Sequence, residues 1–146
     1  MTELRQALLG GWLLHSFVSR DADTGAQWSP YGEHPTGLIL YTADGYMSAQ
    51  LTPGPGAEFV AYGGRFHVDE QSATVRHDVA VSTMPELLTQ PQFRHANIQG
   101  DRLTLSASRA SAEGTTIHST LIWRRDLGAR ATPGPERCSS PRRSAY

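Results

Sequence analysis

Lysine is absent from this chain of 146 residues, and all 13 of its basic residues are arginine. Schiff-base chemistry on a lysine amine is therefore excluded. Arginine is the one permanent cation that a pocket can use. Cysteine occurs once, as Cys138. One cysteine makes neither an internal disulfide nor a metal cluster. No apolar run is long enough to cross a bilayer, and no signal-peptide core marks the N-terminus. A soluble, cytoplasmic protein without a membrane partner is the expectation. Excess charge is also lacking: the formal net charge is −1. That gives no footprint for a nucleic-acid partner.

Residues 127–146 lack hydrophobic periodicity and hold Pro133, Pro135 and Pro141, with four arginines against one glutamate. This composition predicts a disordered basic tail after a domain spanning residues 1–126. Removing the tail's +3 from the total of −1 leaves about −4 on that domain.

What the chain does have is alternation. Eight short stretches alternate apolar and polar residues, at about 12–18, 38–42, 46–51, 60–68, 74–81, 92–98, 103–108 and 115–125. A short helix over residues 3–9 precedes them, with Thr2 as its cap. Asp44-Gly45 reads as a two-residue hairpin turn. The turns alternate short and long. In an up-and-down antiparallel arrangement, the long ones gather at one rim. The prediction is an all-β, eight-stranded barrel, with a cavity opening among its long loops and wide enough for one small ligand.

The ordered motifs carry a family likeness. They are Gly10-Gly11-Trp12 with Leu14, Ser16 and Phe17, then Tyr31-Gly32 and Gly37-Leu38-Ile39-Leu40-Tyr41. Asp44-Gly45-Tyr46-Met47-Ser48-Ala49-Gln50-Leu51, Tyr62-Gly63-Gly64, Val75-Arg76-His77 and Gln92-Phe93-Arg94 follow. Gly100-Asp101-Arg102-Leu103 and Thr120-Leu121-Ile122-Trp123-Arg124-Arg125 complete the set. Over residues 8–125 the chain resembles the lipocalin-like domain family, within the calycin group of small-molecule-binding barrels. The resemblance implies a structural floor, with Trp12 closing the barrel and Arg125 packed across it as a cation–π contact. It leaves function open, because similar barrels serve as carriers and as natural-product enzymes.

His77 shares its parity with Val75, Val79 and Val81, so it should face the interior. A histidine there is a candidate general acid or base. The alternative is a neutral histidine bonded to an internal tyrosine, serine or water. A turn pairing Val68 with Ala73 puts Gly64 opposite His77, with Ala96 on its other flank. Gln92 and Arg94 share the inward parity of Ala96 and Ile98. An inward arginine needs a partner. That partner is either a ligand carboxylate or enolate, or a protein acid such as Glu33 or Glu58.

Ser16, Leu40, Met47, Ala49, Tyr62, Gly64, Val79 and Gln92 complete the candidate ligand-binding set, with His77 and Arg94 as the candidate catalytic pair. The faces of the second and third strands are ambiguous: reversing them turns Tyr41 and Ser48 inward. No histidine pair has convincing ligand spacing, so no metal and no cofactor are expected. Ile39, Phe17 and Ile122, read as outward-facing apolar residues, allow a homodimer without requiring one. Two functions fit. One is a cofactor-free enzyme that cyclises or isomerises a hydrophobic polyketide- or terpenoid-type metabolite by proton transfer and conformational control. The other is a non-catalytic carrier or sensor of a small apolar ligand.

Overall fold

A computed structural model of the chain describes residues 3–125. The Thr2 cap, Cys138 and the tail lie outside the described residues. A helix α1 (Glu3–Leu8) leads into strands β1 (Gly10–Asp21), β2 (Gln27–Trp28), β3 (Thr36–Tyr41), β4 (Tyr46–Thr52) and β5 (Val60–Asp69). Strands β6 (Thr74–Ser82), β7 (Gln92–Gln99), β8 (Arg102–Ala110) and β9 (Thr116–Arg124) follow. A 3-10 turn, Pro85–Leu88, interrupts the link from β6 to β7. Each long strand pairs antiparallel with the next, and β9 returns to β1. The result is the expected closed barrel of eight strands. The two-residue β2 is an addition, a flap in the first long loop that pairs with Ser19 and Arg20.

The short turns close one end. There α1 caps the barrel and buries Leu8 completely. The Trp12 indole Nε1 donates to the Leu8 carbonyl at 2.9 Å. The Arg125 guanidinium lies 3.9 Å from the centre of the Trp12 ring and donates to the carbonyls of Ala7 and Leu9. The floor implied by the family likeness is thus present. The Glu70 carboxylate accepts from the backbone N–H groups of Leu4 and Arg5, at 2.9 and 3.1 Å. A distant acid therefore satisfies donors at the start of the helix. Above this floor, Tyr41, Phe66, Ile39, Leu103 and Val75 fill the core.

Several one- or two-residue features decide which side chains face inward, and each corrects an expectation. At Asp44-Gly45 the loop has three residues, because Thr42 pairs with Tyr46 and Gly45 takes φ +98°. A left-handed glycine closing a three-residue loop is a standard alternative to the two-residue turn. The extra residue turns β3 over relative to β4. Ile39 and Tyr41 are therefore buried, while Leu40 is 42 % exposed on the outer face. Leu40 does not line the interior, and Ile39 is not an outer residue. Met47 and Ala49 on β4 face inward as expected.

β1 carries a bulge at His15, where Leu14 pairs with Trp123 but Ser16 with Ile122. One added residue moves the inward set from Trp12 and Leu14 to Phe17 and Ser19. Ser16 thus leaves the interior, and Phe17 enters it. β6 has a second bulge at Ala80, since Gly63 pairs with Val81 and Gly64 with Val79. Val81 is consequently 67 % exposed rather than internal. A Cβ on Gly64 would collide with the Asp78 carbonyl oxygen, so glycine is required where the bulged strand comes close.

The turn after β5 has the expected length but lies one residue further along: Asp69 pairs with Thr74, and Ala73 adopts φ +54°. Val68 therefore meets Val75 instead of Ala73, and His77 lies opposite Phe66 instead of Gly64. On its other side His77 faces Gln92, not Ala96.

Candidate functional site

The long loops meet at the end opposite the floor, around a cavity of about 810 Å³. Trp28, Pro30 and Tyr31 from the first loop and Met84, Glu86 and Leu87 from the third form its rim. Ile39, Leu51, Tyr62, Leu105, Leu121 and Trp123 form its apolar wall, contributed by five strands. Phe17 packs edge-on against Tyr31, with ring centres 5.2 Å apart, and so ties the first loop to the barrel.

Polar side chains come from β1, β7, β8 and β9: Ser19, Gln92, Arg94, Ser108, Arg109 and Ser119. The Ser19 and Ser119 hydroxyls share a hydrogen bond of 2.9 Å across β1 and β9. Gln92 reaches the rim, where its side-chain N–H donates to the Gln90 carbonyl at 2.8 Å. Arg94 lines the cavity from β7. β7 carries no bulge before its pairing with β8, so its alternation holds and Gln92 and Arg94 face inward as the sequence predicts. Among the described residues, no carboxylate lies at ion-pair distance from Arg94, and Glu33 and Glu58 do not supply one. The ion pairs found there, His67–Asp78 and Arg76–Asp78, involve outward-facing side chains.

Beneath Arg94 lies a buried polar cluster. The Tyr41 hydroxyl and His77 Nε2 share a hydrogen bond of 2.8 Å. The Tyr62 ring lies 6.0 Å from the imidazole, centre to centre. Burial pushes the His77 pKa down to about 3, and the positive charge of Arg94 adds to the shift. His77 is therefore a neutral imidazole near neutrality. Burial also raises the Tyr41 pKa well above that of an ordinary phenol, with Arg94 opposing. Tyr62 rises for the same reason, again offset by Arg94. Both tyrosines keep their protons. This is the bonded, neutral arrangement that the sequence offers as the alternative to a free acid–base histidine. His77 Nδ1 and Trp123 Nε1 are buried without a hydrogen-bond partner among the described residues.

The structure thus brings Arg94, Tyr62 and Gln92 to the cavity wall. Met47, Ala49 and Val79 are not part of that wall; Met47 and Ala49 pack in the core. His77 is fully buried beside Tyr41 and does not line the cavity. Gly64 serves the bulge, while Ser16 and Leu40 lie outside. Trp123, Phe17 and Ser19 line the cavity without having been singled out from the sequence. Trp123 was legible from its parity with Leu121, whereas Phe17 and Ser19 depend on the His15 bulge. Among the described residues, no three histidine, cysteine, aspartate or glutamate side chains gather as a metal site. No described helix is long and apolar enough to cross a membrane.

The geometry agrees with comparison to known families. None of the curated proteins compared with this chain matches it. A family model described as a lipocalin-like domain matches residues 9–59 and 55–126, which together span the barrel from its first strand to its last. The chain belongs to the lipocalin-like domain family.

Proposed function

We propose that the barrel binds one small, largely apolar molecule in its cavity, entering between the long loops, and acts as a carrier or sensor. One observation carries this reading: an apolar wall built by five strands lines about 810 Å³ at the loop end, with a smaller set of polar groups to orient a guest. The binding unit is taken as residues 1–126, since every described wall residue lies within it. The His77–Tyr41 pair supports binding over acid–base catalysis. Its imidazole is neutral, bonded and set back from the wall.

The same cavity supports a second reading, a cofactor-free cyclase or isomerase of a polyketide- or terpenoid-type metabolite. Tyr62 and Arg94 favour it, because a phenol and a guanidinium on one wall can stabilise an enolate oxygen. The wall would hold the reactive conformer, and His77 would carry the proton.

Native mass spectrometry after incubation with a metabolite extract separates these readings. A retained compound of unchanged mass, at one per chain, is the expected result. A converted compound favours the enzyme. In that case His77→Gln should abolish turnover and keep binding within about tenfold. Full turnover in His77→Gln would leave only shape-directed ring closure. Retention of no compound would overturn the binding reading.

A further inference from the structure

The cavity wall offers donors without an anionic acceptor. Arg94 enters it from β7; its guanidinium donates to the Phe93 carbonyl at 3.0 Å but has no carboxylate partner among the described residues. Glu86 is the one acid among the described wall residues; it sits on the 3-10 turn at the rim and makes no ion pair with Arg94. Trp123 lines the same cavity and is 2 % exposed, and its indole N–H finds no acceptor among the described residues. The Tyr62 hydroxyl is a further donor on this wall.

A buried donor without an acceptor, as at Trp123, is costly, and a half-buried guanidinium without a counter-anion becomes costly once a guest displaces its water. A neutral hydrocarbon guest would strip water from Arg94 and return nothing. A cationic guest would be repelled by it. A guest bearing an anionic oxygen meets the charge and forms the stronger, charge-assisted class of hydrogen bond.

We infer that the ligand is an amphipathic organic anion: an apolar skeleton bearing a carboxylate or similarly acidic oxygen held by Arg94, and a second oxygen accepting from Trp123. This rests on the binding reading above and adds the chemical class of the guest. The skeleton fills the space between Ile39, Leu105 and Leu121, and the acidic group turns towards β7.

Two fluorescent probes test it. Anilinonaphthalene sulfonate is an aromatic anion, and N-phenylnaphthylamine is its counterpart without the sulfonate. Wild type should bind the sulfonate at least about tenfold more tightly. Arg94→Gln should remove that preference by weakening the sulfonate alone. Arg94→Lys, which keeps the charge, should retain most of it, and near-UV circular dichroism checks that each variant is folded. Trp123→Phe keeps an aromatic wall but loses the N–H, and should weaken the sulfonate a few-fold while sparing the neutral probe. Equal affinity for the two probes, unchanged in Arg94→Gln, would overturn the anion assignment while leaving the binding reading intact. A preference that survives in Arg94→Gln would also overturn it, since the anion would be held elsewhere. Failure of wild type to bind either probe would instead remove the binding reading itself.

Discussion

Replacing Trp12 with alanine should destabilise the barrel by about 3–5 kcal/mol, the range for deleting a large buried aromatic side chain. Trp12 is 1 % exposed and is the largest side chain under α1. Its loss opens a void at the closed end and leaves the Leu8 carbonyl without its indole donor. It also removes the ring on which the Arg125 guanidinium rests, at 3.9 Å. Arg125→Ala should cost less, about 1–2 kcal/mol, because the helix and indole still cover the floor while a cation–π contact and carbonyl hydrogen bonds are lost. Chemical denaturation of both variants provides the check. Wild-type unfolding curves for both would mean that this end is not what holds the barrel shut.

The stability of the fold should depend on pH through His77. Exposed in the unfolded chain, its imidazole titrates near 6.5; in the barrel, burial first and Arg94 second push it down to about 3. Above the unfolded value both states are neutral, and the stabilisation from keeping His77 unprotonated is fully present. As pH falls below it, the unfolded chain takes up a proton that the folded chain refuses. Stability is lost progressively until pH reaches the folded value. At about 1.4 kcal/mol per pH unit, the loss approaches roughly 4–5 kcal/mol by pH 3. Acidic residues add their own pH dependence, so the informative quantity is the difference from His77→Gln. That variant retains a hydrogen-bonding side chain opposite Tyr41 but has no group that titrates in this range. The stability curves of the two proteins should converge as pH falls from 7 to 3. Parallel curves would mean that the imidazole is not held neutral.

The barrel was legible in the sequence because alternation of period two is a property of many residues at once. Misreading one position does not remove a strand. The rim was legible for a similar reason: loop lengths alternate, and antiparallel pairing sends every second loop to the same end. The floor was legible through the family likeness, by Trp12 and Arg125.

What alternation could not supply was the position of single inserted residues. The third loop residue before Tyr46 and the bulges at His15 and Ala80 each flip the faces beyond them. Leu40, Ser16 and Val81 were displaced from the interior in this way, and Ile39, Tyr41, Phe17 and Ser19 took inward positions. Gly64 marked one irregularity, since a glycine within a strand signals a bulge or a close approach. Asp44-Gly45 pointed to a turn, but its composition fits both the two-residue and three-residue forms. On β7, where no insertion precedes the pairing with β8, the inward placement of Gln92 and Arg94 was readable directly. His77 kept its inward face because the Ala80 bulge lies beyond it. Its bonded partner was hidden, because identifying Tyr41 required the correct face of β3.

The central claim is that a small molecule is held inside the barrel, and the three tryptophans report on it from three depths. Trp12 lies in the floor, Trp123 in the cavity wall and Trp28 at the rim. Each indole N–H gives its own signal in a proton–nitrogen correlation spectrum. Titration with anilinonaphthalene sulfonate should shift Trp123 strongly and Trp28 moderately, and leave Trp12 in place. A Trp123 signal that stays fixed at saturation, while the outer-face amides of Val81 and Phe93 move, would show that the molecule binds outside the barrel and would contradict the account.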